Sequence, residues 1–246
     1  MTKTSIRTRF GLLLSLLFAS VPVASQAEEQ DSYTQLVNAV ASDAIAELVF
    51  QQDLVISFGE AFRSDPDVVE VETDCPGYVD GYVKAVRPTL RKAHDLDYVW
   101  YRAEMAKLYR AGLTPEEALG AAQFFGSDLG QRLLASAIAQ SSGDNTVREA
   151  LDDEGEDIST EAYNADKRAT ARNLLNALSA QERQEISVKM GGAPWFPAFQ
   201  RISKKVNALG LEMVNRELSA EHNAEVNVAI DTFLEAHFAT CDTANQ

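Results

Sequence analysis

The sequence predicts an all-α protein, a compact multi-helix bundle of about seven to nine helices with little or no sheet. Three observations carry this. Gly and Pro number only 13 and 7 in 246 residues, below the usual level of about 12%, so turns are scarce. Apolar residues recur at three- and four-residue steps in one segment after another, the period of an amphipathic helix. No segment shows sustained alternation of period two between hairpin turns, which a half-buried strand requires. With 46% hydrophobic and 24% charged residues, the composition is that of an ordinary folded domain.

The first element is a leader. Met1 to Phe10 carries Lys3, Arg7 and Arg9 with no acid, an apolar stretch follows from Gly11 to Ala24, and Ser25-Gln26-Ala27 places small residues at −3 and −1 of a cut. This is the pattern of a secretory signal peptide, residues 1–27, cleaved after Ala27. The run is shorter than the roughly 20 apolar residues of a membrane anchor and is interrupted by Ser15, Ser20 and Pro22. A soluble, periplasmic helical domain over residues 28–246, with no membrane anchor after cleavage, is therefore expected.

The helices follow in order. Val37, Val40, Ala44, Ile45, Leu48, Val55, Phe58 and Phe62 mark a long helix from Asp31 to Phe62, with a break near Gln51-Gln52. Asp65-Pro66 interrupts it, and the stretch to Pro76-Gly77 reads equally as a helical turn or an irregular crossing. Tyr78 to Leu90 resumes helical spacing, with Pro88 expected to kink or restart it. Leu96 to Tyr109 carries two stripes, Tyr98, Tyr101, Met105 and Leu108 on one and Leu96, Val99, Ala103 and Ala106 on the other, which predicts a central helix.

Gly112 is expected to end that helix as a left-handed cap. Thr114-Pro115-Glu116-Glu117 then reads as a capping box with Pro at the first helical position. Leu119, Ala122 and Phe125 supply the buried face of this helix, and Ser127 caps the next, whose stripe is Leu129, Leu133, Leu134, Ala137 and Ile138. The result is a helical hairpin with a tight corner. Ser141 to Thr160 is a polar, acidic interruption and a candidate hinge between two subdomains. Beyond it, helices are predicted around Ala162–Leu178, Ala180–Met190, Phe196–Leu209 and Ala220–Phe238, with Ser179–Glu182 as a second capping box and Ser219 as an N-cap.

Charge and motif content remove several function classes. The formal charge is −15, and loss of Lys3, Arg7 and Arg9 with the leader takes it to −18. Arg201, Lys204 and Lys205 are one small basic group on a strongly acidic molecule, so nucleic acid is excluded as a partner. There is no Walker or Rossmann loop, since Gly191-Gly192-Ala193-Pro194-Trp195 has neither the spacing nor the Lys. Gly126-Ser127-Asp128-Leu129-Gly130 lacks the register of a nucleophile elbow, and nothing pairs His94, His222 or His237 with a nucleophile.

Cys75 and Cys241 are the chain's two cysteines, and in an exported chain they are expected to form a disulfide. His237 and Cys241 lie four apart, but two ligands make no zinc site, so no metal and no cofactor is expected. Aligning Gly155 with the sixth position of an EF-hand places Asp152, Glu154 and Glu161 at ligand positions, but Ala150 at the first position argues for a solvated acidic loop instead.

The stretch Tyr101-Arg102 through Leu134 includes Leu108-Tyr109-Arg110-Ala111-Gly112-Leu113-Thr114-Pro115-Glu116-Glu117 and Gln123-Phe124-Phe125-Gly126-Ser127-Asp128-Leu129-Gly130-Gln131. It resembles the exported helical family catalogued as domain of unknown function 2059, whose pattern is a Thr-x-x-Glu helix start followed by Phe-Tyr-x-Ser-Pro-x-Gly-Gln. Phe125 stands where the family has Tyr, and Asp128 where it has Pro. The resemblance implies an exported helical fold and carries no activity. Read physically, Phe124 and Phe125 fill the hairpin, Ser127 caps a helix and Gly130 lets two helices approach. Tyr101, Tyr109, Phe124 and Phe125 are the candidate binding residues should the segment take a ligand.

The expected function is a non-enzymatic periplasmic binding or assembly protein whose partner is a protein or an envelope component. The alternative is an envelope-polymer hydrolase using a carboxylate pair.

Overall fold

A computed structural model of the chain describes residues 31–152 and 157–244. The leader and the centre of the acidic segment, with the EF-hand-like alignment at Glu154 and Gly155, lie outside the described residues. Among those described there are eleven helices and no strand. The all-α class is as expected, and the helices exceed seven to nine because two segments without clear periodicity are helical after all.

Asp31 starts α1 (Ser32–Val40), its carboxylate accepting from the N–H groups of Tyr33 and Thr34 at 3.0 and 2.9 Å. That backbone hydrogen bond from Thr34, followed by the Arg110 guanidinium, holds the carboxyl below its ordinary range. The first long helix breaks earlier than expected. Ala41 leaves helical geometry and α2 begins afresh at Asp43, because α1 packs on the hairpin while α2 runs along the central helix. Near Gln51 the chain instead continues without a break: α2 comprises Asp43–Phe50, a π-helical stretch Gln51–Phe58 and Gly59–Ser64. The undecided stretch after it is α3 (Pro66–Asp74), with Asp65 as N-cap and Pro66 at the first position.

The core is organised around α4 (Tyr78–Gly112), a single helix of 35 residues that passes through Pro88 without restarting. Pro inside a helix costs about 3 kcal/mol. Here Tyr82, Val83, Val86, Leu90 and Ala93 on either side of Pro88 are all buried, and that packing holds the helix together across the missing hydrogen bond. The helix starts at Gly77, the one glycine of positive φ (89°) among the described residues. Gly112 is not the left-handed cap predicted for it. It is the last helical residue, Leu113 being extended, and its use is space: a Cβ there would collide with Ile202.

The hairpin forms as the sequence reads. Thr114 and Glu117 complete the capping box of α5 (Pro115–Phe125), and Ser127 Oγ accepts from Gly130 N at 3.2 Å to cap α6 (Asp128–Ala139). On α5 the buried residues are Ala118, Ala121, Ala122, Phe124 and Phe125, whereas Leu119, expected inside, faces out. The hairpin packs under α1, and Leu119 lies about 100° round α5 from the buried Ala118.

Within the polar interruption a short helix, α7 (Asp144–Asp152), docks on α8 (Thr160–Ala177). Its anchor is Asp166 of α8, 1% exposed, whose carboxylate accepts from the N–H groups of Asn145 and Thr146, from Asn145 Nδ2 and from Thr146 Oγ1 at 2.6–3.1 Å. With Ser142 Oγ at 3.5 Å as a fifth, these donors offset the cost of burying the charge. There follow α9 (Ala180–Gly191), with its Ser179–Glu182 capping box, α10 (Phe196–Val214) and α11 (Ala220–Ala244). His222 N donates to Ser219 Oγ at 3.1 Å, as the predicted N-cap requires. Both α10 and α11 pack on α4. A Cys75–Cys241 disulfide joins the α3–α4 corner to the end of α11 with a Cα–Cα distance of 5.6 Å, as expected. For a sequence separation of 166 residues, chain entropy alone assigns it about 5 kcal/mol.

Candidate functional site

The residues singled out for binding come together, but inside the protein. Tyr101 and Tyr109 on α4 and Phe124 and Phe125 on α5 are all buried. Trp195, at the start of α10, closes over the hairpin. Its ring lies 5.5 Å from Phe124 and 5.9 Å from Phe125, which contact each other edge-on at 5.1 Å. Phe199 completes the cluster against Phe125 at 5.3 Å and Tyr109 at 6.2 Å. Gly120 makes the closure possible, because a Cβ there would meet the indole at 2.6 Å. Sequence spacing does not show that the Gly191–Trp195 corner supplies this lid, since the partners are some 70 residues apart.

Along the same face of α4 lies a polar group that spacing did not single out. His94 is buried between Phe50, at 5.3 Å ring to ring, and Tyr98, at 5.4 Å. Neither ring nitrogen has a hydrogen-bond partner among the described residues, and the Asp95 carboxylate stands off at 3.6 Å from Nδ1. Burial pushes its pKa down to about 4. Above it, Arg91 spans Glu47 and Asp95 at the surface and covers the Phe50 ring at 5.2 Å.

At the far end of α4 the fold adds a third member to the His237–Cys241 pair. Cys75 joins them, and the two Sγ atoms and a ring nitrogen of His237 lie within 4.8 Å of one another. His237 Nε2 is 3.2 Å from the Cys75 carbonyl. The ring is set by Phe233, stacked at 5.0 Å, with Phe238 at 5.9 Å and Tyr78 at 6.0 Å.

Two features face solvent. One is a cleft of about 470 Å³ lined by Glu60, Ser64, Asp65, Asp144 and Arg148, between the end of α2 and the start of α7. Asp65 is already engaged as the cap of α3. The other is on α4, where Leu96 is 64% and Val99 70% exposed. They belong to the second stripe that marked this helix as central. The helix is central, with α2, α10 and α11 packed against it, and Ala106 of this stripe packs on the core, but Leu96 and Val99 are left uncovered. The cations flanking it are matched with acids: Lys92 with Glu225, Arg102 with Asp43, Lys107 with Glu104 and Arg110 with Asp31.

These features define a protein whose described elements are all helices, with the aromatic residues of the hairpin buried against one another and Trp195. No described helix is long and apolar enough to cross a membrane. Residues 102–147 match the model of a family described as an uncharacterized protein conserved in bacteria, DUF2059, the family that the hairpin motif resembles. The match runs from the second half of α4 through the hairpin into α7. No curated protein and no solved structure matches the chain.

Proposed function

We propose that the chain is an exported, non-enzymatic binding or assembly protein that works in the periplasm after cleavage behind Ala27, and that it docks a protein partner on the outer face of α4. The observation that carries this reading is the exposure of Leu96 and Val99 one turn apart on the most central helix of the fold. Apolar anchors rimmed by matched charges are the composition of a protein interface. Because the flanking cations are already paired, recognition rests on burial of the anchors, with charge setting orientation. Leu96→Asp with Val99→Asp, both at exposed positions, should leave the melting temperature unchanged and abolish crosslinking to the partner in the periplasm. Crosslinking that survives the double substitution would refute the assignment of this face. An amino-terminus at Glu28 in recovered material would support export.

A second reading rests on the cleft. Glu60 and Asp144 share it with Arg148, and a carboxylate pair is the equipment of glycoside hydrolysis. Release of reducing ends from envelope glycan that is lost on Glu60→Gln or Asp144→Asn would favour it.

A further inference from the structure

We propose that the Cys75–Cys241–His237 cluster is a redox-gated site for a thiolate-preferring d¹⁰ cation, zinc(II) in the first instance, closed while the disulfide is intact and open once it is reduced. The oxidised and reduced states use the same three side chains. With the disulfide formed, both sulfurs are committed to each other and no site exists.

The geometry is that of a coordination shell already gathered. Zinc binds thiolate at about 2.3 Å and imidazole at about 2.0–2.1 Å, so the ligand atoms of a tetrahedral site stand roughly 3.5–3.8 Å apart. The three donors here lie within 4.8 Å of one another. Opening the disulfide frees both Cβ–Sγ rotations, so the sulfurs part by about 1.5 Å from their bonded separation of about 2 Å while the His237 nitrogen closes by up to about 1 Å. Cys75 is buried, His237 and Cys241 half-buried, so a fourth position remains accessible for water or an exogenous ligand.

Two further contacts fit the histidine to the task. Ligating imidazoles usually give their second ring nitrogen to a carbonyl or carboxylate, which fixes ring and tautomer. His237 Nε2 lies 3.2 Å from the Cys75 carbonyl, so with Nε2–H donating, the free lone pair is on Nδ1. The rings of Phe233, Phe238 and Tyr78 hold the imidazole plane and dry its surroundings. Gly77, whose left-handed backbone no side chain readily adopts, passes beside the His237 ring; a Cβ there would stand 4.0 Å from Cε1.

The chemistry balances with a dithiol reductant. Its thiolate attacks one sulfur of the Cys75–Cys241 bond, a mixed disulfide forms, and the reductant's second thiol releases the other cysteine. Two electrons and two protons pass to the protein, and the reductant leaves as its own disulfide. Metal binding then displaces the two thiol protons, so affinity should rise with pH.

The test uses the exported chain, oxidised or reduced with a phosphine, titrated with cobalt(II) and then with zinc. Expected are one cobalt per reduced chain, a thiolate-to-cobalt charge-transfer band abolished by zinc, and no binding by the oxidised chain. His237→Gln should weaken binding at least tenfold, with the helical circular dichroism of its oxidised form unchanged. If that variant does not fold, the parent decides: one of the chain's three histidines must shift its ring proton resonances on zinc addition. Absence of the band, unaltered affinity in a folded His237→Gln, no shifted histidine, or equal affinity in urea-unfolded reduced chain would each overturn the proposal.

Discussion

Gly130 lies directly against the Phe124 backbone. A Cβ on Gly130 would enter the Phe124 carbonyl and stand 2.7 Å from Phe125 Cα. The same carbonyl accepts from Ser127 Oγ at 2.6 Å, and Gln131 Nε2 donates to the Phe125 carbonyl at 2.7 Å. The corner is therefore closed backbone to backbone, with nothing flexible to give way. Gly130→Ala should cost about 3 kcal/mol, the upper end for overpacking, because the obstructing atoms are main chain. Gly191→Ala is the matched control: nothing lies within 4 Å of its Cβ position, so helix propensity should leave it neutral or stabilised by up to about 1 kcal/mol. Urea unfolding midpoints of the two variants decide the matter, and equal midpoints would remove the steric account.

The two phenylalanines should behave alike in spite of pointing apart. Adjacent helical residues diverge by about 100°, so spacing predicts that Phe124 and Phe125 face two elements, yet both rings reach Trp195. The tyrosine and methionine stripe of α4 is the nearest candidate for Phe124 by spacing, but the ring that meets it is Trp195. Each truncation to Ala should cost roughly 3–5 kcal/mol. Since the rings touch each other and share Trp195, the double substitution should cost less than the sum of the two, and a strictly additive cycle would contradict the shared cluster.

How much of this was legible follows from the range of the forces involved. Thr114, Glu117, Ser127, Ser179 and Glu182 act on backbone groups three residues away, so their roles are written locally and the structure shows each of them. Leu96 and Val99 show the limit: periodicity marks a stripe as apolar but not whether another helix will cover it. Pro88 shows another, because a local helix breaker is overruled by buried neighbours that only the tertiary fold supplies. Asp65-Pro66 could have been recognised as a cap followed by Pro at the first position. Cys75 beside His237 could not, since their encounter joins positions 162 residues apart.

His94 makes stability depend on pH in a stated direction. Its folded pKa of about 4 lies below the ordinary 6.5 of the unfolded chain, so the folded state binds fewer protons between those values. At pH 7 the imidazole is neutral in both states and costs nothing by this route. As pH falls through 6.5 the unfolded chain takes up a proton that the folded one refuses, and stability declines until about pH 4. At about 1.36 kcal/mol per pKa unit, the loss amounts to about 3 kcal/mol. His94→Leu should keep its stability at pH 7 and lose this share of the acid sensitivity. Denaturation curves at pH 7 and pH 4 for both proteins test it: identical differences would show that the unpartnered imidazole is not the group responsible.

Asp166 supplies the sharpest test of the α7–α8 contact, because the carboxylate has one job and no cation beside it among the contacts that hold it. It receives the first N–H groups of a helix whose own Asp144, among the described residues, accepts only from Ser142 Oγ, at 3.4 Å. An acceptor at a helix N-terminus satisfies orphan donors and meets the positive end of the helix dipole. In Asp166→Asn one oxygen becomes an NH₂ group and the charge is lost, so the backbone N–H of Asn145 or of Thr146 is left facing a donor, whereas a hydroxyl can turn to accept. Hydrogen bonds to a charged group contribute about 1.5–3 kcal/mol, and the bias should fall on α7 before the rest of the molecule. Amide exchange at Asn145 and Thr146 should accelerate by more than tenfold while amides of the Val86–Ala93 turn of α4 stay protected. Uniform acceleration across both regions would mean that α7 does not open as a unit of its own, and that Asp166 instead supports the whole core.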